Sequence, residues 1–507
     1  MSQLPHQRVI QKTKTMQRFT HWGLLATISA LFISCTSIGN SSTSTSSINN
    51  SDTLPTVISP PSIGYPMSAT ITPLTDYGYT ESEYFIKGQA KRYRITDPMS
   101  DAQAIDSGNP YETRVLVRRP SDPARFNGTV IVEWLNVSLD QDIDFVFGAT
   151  RELLLREGYA WVGVSAQRNG VEAMKKWNPE RYRELSVTAS NIDPATGKLL
   201  DPADPTIMAI GGDVLAWDIF SQVGQLAKSG SSKMMGGLKA EKLIAAAESQ
   251  STLKVSTYYN TIQPLHRVYD GFYFYDRSGL LRTDTDTKSI AVGTEIFTAL
   301  MKQAPQQDTD HQIWWEINGA SHFSLDEIEH YIDPMVKRDG AFRNASGVAL
   351  SLSELTNSKG ACTPTSIYSR VPNGDVLKAA MNGLNRWIAG GTAPASAPRF
   401  VVDNQSTPQY VRDTNGQILG GIRTAAQDAP MATNAGIGKG AWFCGPSGNH
   451  VDFTPAQMCK RYGSHENYVT KVQSIVNANV QSGVLLPEEA KKTVDDAKAK
   501  AFSCTSN

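Results

Sequence analysis

The stretch Lys242-Leu-Ile-Ala-Ala-Ala-Glu-Ser-Gln-Ser251 decides how the rest of the chain is read. Its apolar run, Leu243 to Ala247, has the length of a buried strand. A short polar turn carrying Ser249 follows, and Thr252 to Ile262 has helix length. Strand, sharp turn and helix in that order form a nucleophile elbow, which holds a serine at the carboxyl end of a central strand. Ser249 is therefore the candidate nucleophile. The positions two before and two after it must be small, because the strand and helix backbones approach closely there. Ala247 and Ser251 are both small.

Outward from this junction, strand-like and helix-like segments alternate over about residues 80–330. Thr129 to Trp134 is β-branched and nearly continuous, as a strand buried on both faces should be. Phe145 to Glu157 carries Val146, Ala149, Leu153 and Leu154 on one helical face and stops at Gly158. Tyr159 to Ser165, Tyr269 to Tyr275, Ser289 to Val292 and Gln312 to Ile317 read as further strands, and Tyr111 to Val117 as an early edge strand. Val214 to Ala227 reads as an amphipathic helix. The alternation predicts an α/β fold with a mostly parallel central sheet and helices on both faces. Residues 170–213 are polar and rich in Pro and Asp, and are expected to form a cap excursion. A closing helix is expected at Asp375 to Ile388, then an appendage over residues 395–507 ending in a charged surface helix, Pro487 to Phe502.

A serine nucleophile needs a base, a group that orients the base, and donors for the oxyanion. His322 follows the Gln312 strand through Asn318-Gly-Ala-Ser, a small-residue loop able to deliver an imidazole. His330 is its rival. Glu295 follows the Ser289 strand and is the expected acid, with Asp276, after the preceding strand, as the alternative. The order serine, acid, histidine is one of the known orders for such a triad. Oxyanion donors are expected from the backbone of Gln250 and from Asn136, in the loop after Trp134, although Asn136 also suits an ordinary turn. No metal site, phosphate loop or cofactor motif is expected. Asp284-Thr-Asp286 lacks the glycine and distal glutamate of a calcium loop.

The chain has 507 residues, with 48 basic and 49 acidic side chains, so a nucleic-acid-binding surface is not indicated. Arg8, Lys12, Lys14 and Arg18 precede an apolar run, Trp22 to Ile33, in the pattern of a secretory signal over residues 1–35. Leu31-Phe-Ile-Ser-Cys35 resembles a bacterial lipobox. That resemblance implies cleavage before Cys35 and lipid on its sulfur, hence a membrane-tethered protein in the cell envelope. The alternative is an ordinary cleaved signal, leaving a periplasmic or secreted protein. Residues 36–65 begin with a Ser/Thr/Asn-rich stretch suited to a flexible tether, ahead of the body at 66–507. Four cysteines remain in the exported body, Cys362, Cys444, Cys459 and Cys504. Two disulfides are expected, with Cys444–Cys459 and Cys362–Cys504 preferred on proximity.

Several runs carry a family resemblance: Arg118-Arg-Pro, Phe126-Asn-Gly-Thr-Val-Ile-Val-Glu-Trp-Leu-Asn-Val137, Arg156-Glu-Gly-Tyr-Ala-Trp-Val-Gly-Val-Ser-Ala-Gln167, Glu248-Ser-Gln-Ser251, Trp315-Glu-Ile-Asn-Gly-Ala-Ser-His322 and Gly420-Gly-Ile-Arg-Thr424. Together they resemble a bacterial α/β-hydrolase-domain family over roughly residues 70–495. In that family the elbow more often begins with Gly, where this chain has Ala247. A further carboxylate usually follows shortly after the Thr-Glu pair, where this chain has Phe297. The resemblance implies an α/β-hydrolase fold and a serine esterase acting on a small-molecule ester. Two other functions remain open on these residues: a catalytically silent surface lipoprotein that binds a ligand, and an acyltransferase using the same triad.

Overall fold

The computed structural model describes residues 54–204, 210–230, 233–296, 306–357, 362–363, 368–403, 409–414, 416–440 and 444–504. The expected signal, Cys35 and most of the tether lie outside these residues. The described chain is built on a nine-stranded sheet. Its strands are β1 (Thr56–Ile58), β2 (Tyr79–Arg94), β3 (Gln103–Pro120), β4 (Thr129–Trp134), β5 (Ala160–Val164), β6 (Lys242–Glu248), β7 (Gly271–Tyr275), β8 (Lys288–Gly293) and β9 (Gln312–Glu316). They lie side by side in the order β1-β2-β3-β5-β4-β6-β7-β8-β9. From β5 onward every neighbouring pair is parallel, and the first three strands are added antiparallel.

The parallel strands have apolar residues on both faces because both faces are covered. Val130, Val132 and Trp134 of β4 enter one core, with Leu243, Ala245 and Ala247 of β6 and Phe272 and Phe274 of β7. Ile131, Ile244, Ala246, Tyr273 and Tyr275 point the other way into a second core. Alternate side chains of a strand lie on opposite faces, so a continuous apolar run feeds both layers. Burial at roughly 25 cal/mol per Å² of apolar surface makes these layers the main driving force of the fold.

Helices α1 (Phe145–Arg156), α2 (Arg168–Trp177), α3 (Ala216–Ser229), α4 (Gln250–Thr257) and α5 (Asn373–Ile388) flank the sheet. The stop of α1 is a steric matter. Gly158 has φ +77°, and a Cβ there would lie 1.9 Å from the Arg125 carbonyl oxygen. The expected helix Thr252 to Ile262 is α4 followed by a π-helical turn, Tyr258–Ile262.

Two features depart from the sequence expectation. Tyr111 to Val117 is not an edge strand: it is the inner half of the 18-residue β3, hydrogen-bonded to β2 on one side and to β5 on the other. The disulfides are Cys362–Cys444 and Cys459–Cys504. Cys459 and Cys444 are close in sequence but separate in the fold. Cys444 starts a short helix beside the strand pair that contains Cys362, whereas Cys459 lies on a helix packed near the chain end. The two bonds are consistent with an extracytoplasmic location.

The excursion at 170–213 contains most of α2 and a further short helix, Pro179–Tyr182. It is fastened to α4 by an ion cluster. Lys254 Nζ, on a side chain only 4 % exposed, lies 2.6 Å from an Asp201 carboxylate oxygen and 3.5 Å from one of Asp213. Beyond α5, helices α6 (His465–Gln481) and α7 (Pro487–Ala499) enclose a small core of their own around Met458, Tyr462, Tyr468, Val472 and Val494. No described helix is long and apolar enough to cross a membrane.

Candidate active site

Ser249 stands between the end of β6 and the start of α4, with φ 53° and ψ −122°. A non-glycine residue held there costs on the order of 1–3 kcal/mol, so the surroundings must impose it. The Ser249 N–H donates to the Tyr275 carbonyl at 3.0 Å. Its own carbonyl accepts the Thr252 hydroxyl at 2.5 Å and the Thr252 N–H at 2.9 Å. Ser251 explains why a serine can stand where such elbows often have glycine. Its hydroxyl donates to the Glu248 carbonyl at 2.7 Å and accepts the Glu248 N–H at 3.1 Å, so the side chain ties the turn together.

His322 comes from the loop after β9, as expected. Its Nε2 lies 2.9 Å from Ser249 Oγ. The loop is held by the Tyr275 hydroxyl, which donates to the His322 carbonyl at 2.7 Å, and by the Asn373 amide, which donates to the Ser321 carbonyl at 2.6 Å. The ring packs against Phe323, centroids 4.8 Å apart. His330, the rival, is two-thirds exposed and lies 4.0 Å from Asp326 on the surface.

The carboxylate against His322 is Asp276, not Glu295. Asp276 Oδ2 is 2.5 Å from His322 Nδ1. The acid follows β7, the strand beside β6, and has φ 54°, a conformation aspartate tolerates better than most residues. Thr294 fixes it: its N–H donates to Oδ1 at 2.6 Å and its hydroxyl to Oδ2 at 2.8 Å. Beyond β8 successive side chains still point to opposite sides. Thr294 faces the site and Glu295 faces away. Glu295 accepts the Gly319 N–H at 2.7 Å and the Gly436 N–H at 3.2 Å, with Arg412 3.7 Å away. Burial raises its pKa, and Arg412 and the two amides oppose that. Glu295 thus joins the histidine loop to the appendage. Gly436 must be glycine for this, because a Cβ there would lie 2.1 Å from the Ala320 carbonyl.

Asn136 is also used differently from its expected oxyanion role. Its N–H donates to the Ile143 carbonyl at 3.0 Å. Its side-chain amide donates to the Glu248 carbonyl at 3.0 Å and to Glu248 Oε2 at 2.8 Å, while Oδ1 accepts the Ser138 N–H at 2.7 Å. Every donor of Asn136 is committed, so it is a brace for the elbow. Gln250 is the first residue of α4, and an N–H at that position has no partner within its helix.

One group at the site was given no role from sequence. Glu248, next to the nucleophile and fully buried, has Oε1 3.2 Å from His322 Nε2. The approach is close but not aligned as a hydrogen bond, and Oε1 has no other partner. Burial drives the Glu248 pKa well above the usual range, and Glu327, Asp276 and Glu133 drive it further. The hydrogen bond from the Asn136 amide opposes that rise. The signal was present, since an acidic residue inside an otherwise apolar elbow strand is anomalous.

The model of a family described as an alpha/beta hydrolase domain matches residues 45–495. The chain belongs to that family. No curated protein matches it. Among solved structures, esterase Est22 shares 12 % identity with a TM-score of 0.22 over 41 % of this chain and 48 % of that one. A fungal esterase from Rhizomucor miehei shares 9 % with a TM-score of 0.26, over 48 % of this chain and 77 % of that one. An alpha-beta serine hydrolase homologue from Coxiella burnetii shares 12 % with a TM-score of 0.24, over 42 % and 85 %. The chain spans about half the length of Est22.

Proposed function

We propose that this α/β-hydrolase-family chain is a serine hydrolase that cleaves carboxylic esters through an acyl-enzyme on Ser249. The observation that carries the reading is the relay Ser249 Oγ to His322 Nε2 at 2.9 Å and His322 Nδ1 to Asp276 at 2.5 Å, mounted on a strained elbow.

In this reading Ser249 Oγ attacks the ester carbonyl carbon while His322 Nε2 takes its proton. Asp276 accepts the Nδ1–H, which keeps Nε2 basic and then stabilises the imidazolium. The oxyanion needs amides near Ser249. Gln250 N–H is one. In the opposing loop the amides of Leu135, Asn136 and Ser138 are all committed, to Val164, Ile143 and the Asn136 side chain. That leaves the Val137 amide, which has no acceptor among the described residues, as the second donor. Collapse of the tetrahedral intermediate expels the alcohol, protonated by Nε2–H. Water then gives a proton to Nε2, attacks the acyl carbon, and the acid leaves with Ser249 restored.

A fluorophosphonate probe should label Ser249 stoichiometrically, and Ser249→Ala should lower kcat on aryl esters by at least about a thousandfold. Unchanged activity in that variant would sink the proposal. Export and lipid attachment at Cys35 belong to the same proposal and rest on the lipobox resemblance and the two disulfides. They predict metabolic labelling by palmitate that a Cys35→Ser chain loses.

A further inference from the structure

Arg277 directly follows Asp276, and its side chain reaches Gln306 and Trp314. It is only 3 % exposed. Among the described residues no carboxylate pairs with it. Both terminal nitrogens donate to the same neutral acceptor, Gln306 Oε1, each at 3.1 Å, and that oxygen also accepts the Leu281 N–H at 3.0 Å. Arg277 Nε has no hydrogen-bond partner among the described residues. The guanidinium stacks on Trp314, 4.5 Å from the ring centroid, and Arg399 approaches the same ring at 6.0 Å. Arg399 has Asp308 at 2.5 Å, so the nearby carboxylate is already taken. The chain between Ile296 and Gln306 contains no acidic residue that could supply another.

A buried guanidinium without a counter-charge is costly, because an isolated ion loses its hydration and regains nothing. Burial pushes Arg277 down to about 9, with Arg399 adding to the effect, yet that still leaves it protonated at neutral pH. Beside it lies a small pocket of about 10 Å³, room for about one water-sized group, lined by Arg277, Ser289, Gln306, Gln312 and Trp314. Gln307, which is exposed, also borders the pocket and links it to solvent. A cation with no carboxylate partner among the described residues, lining a small pocket with an aromatic wall, calls for a single compact negative charge. A large or divalent anion would find only one cation lining this pocket.

From this geometry we infer that the Arg277 pocket binds a small monovalent anion, a halide or a one-carbon carboxylate. The bound ion completes the counter-charge that the chain does not provide. It also steadies the turn after β7. Ser278 N–H donates to Thr252 Oγ1 at 2.8 Å, and Ser256 donates to the Ser278 carbonyl at 2.8 Å, so this turn is tied to the elbow helix.

The test uses thermal unfolding of the full exported chain, which does not depend on catalysis and so is separate from the fate of the esterase proposal. Protein exchanged into sodium gluconate is titrated with sodium chloride or sodium formate at constant ionic strength. A saturable rise in Tm of about 2 °C or more is expected with chloride or formate and not with gluconate. Arg277→Gln should abolish the rise. If that variant does not fold, wild-type crystals soaked in bromide provide the second measurement, with an anomalous peak expected within hydrogen-bond reach of Arg277. A saturable response to chloride alone, or to formate alone, distinguishes the two kinds of ion. Equal Tm in all three salts, or bromide absent from the pocket, would overturn the inference.

Discussion

Replacing Asp276 by Asn separates the two candidate acids. The carboxylate sits between two sets of donors. Thr294 N–H reaches Oδ1 at 2.6 Å, and His322 Nδ1 lies 2.5 Å from Oδ2. An asparagine must present its oxygen to the Thr294 amide, because that N–H can only donate. Its NH2 then faces His322 Nδ1 and forces that nitrogen to accept. The proton moves to Nε2, which points at Ser249, and the imidazole can no longer act as the base. Reversing a triad tautomer in this way lowers kcat by about four orders of magnitude, equivalent to about 5 kcal/mol of transition-state stabilisation. Glu295→Gln should behave in the opposite way. Its carboxylate serves two amides, Gly319 and Gly436, whereas glutamine has one carbonyl oxygen, so one buried N–H is left unpaired. The cost is about 1–3 kcal/mol of stability, with kcat within about threefold of wild type. Both variants are assayed on an aryl ester from pH 6 to 9, with melting curves to confirm folding. A folded Asp276→Asn enzyme within tenfold of wild type, or a folded Glu295→Gln enzyme reduced a thousandfold, would refute the assignment.

Further expectations can be checked alongside. Burial favours the protonated form of Glu248, which Glu248→Gln mimics, so the acidic limb of the kcat/KM profile should stay where it is. A fall of that limb by about one pH unit or more would mean that Glu248 is ionised and holds the imidazolium. Glu316 has a pKa pushed up from 4.5 to about 7, chiefly by burial, with the Phe400 N–H opposing. The folded state therefore binds that proton more tightly than the unfolded chain, and stability falls as pH rises from about 4.5 through 7. Glu316→Gln should remove this dependence and gain on the order of 3 kcal/mol over wild type at pH 8, measured by chemical denaturation. Peptide mapping without reduction should recover Cys362 with Cys444 and Cys459 with Cys504. Opening the second bond, which spans 45 residues, should cost about 4 kcal/mol by chain entropy.

The parallel strands and the elbow were legible because their signals are local. A run apolar on both faces has one comfortable home, and β4 matches the expected Thr129 to Trp134 at both ends. The long hairpin was not legible. β2 interleaves Glu81, Glu83, Lys87, Lys91 and Arg92 with its apolar residues, because one side of it meets charged partners such as Arg118 and Arg181. The histidine could be found from its loop. The acid could not be chosen, since Asp276 and Glu295 both follow strands next to one another, and only the direction of Thr294 decides between them. Cysteine spacing carries no information on pairing when the cysteines lie on separate elements.

Glu295 also has a consequence for the order in which the protein matures. The serine and aspartate are encoded within the first 276 residues, and the histidine loop is complete by residue 323. Yet the Gly319 end of that loop is bound to a carboxylate that also grips Gly436, more than a hundred residues later, near the Cys362–Cys444 bond. A nascent chain that stops short of this region has its relay residues without the clasp that closes their loop. Competence should therefore arrive late, after the C-terminal segment has docked and its cysteines have been oxidised.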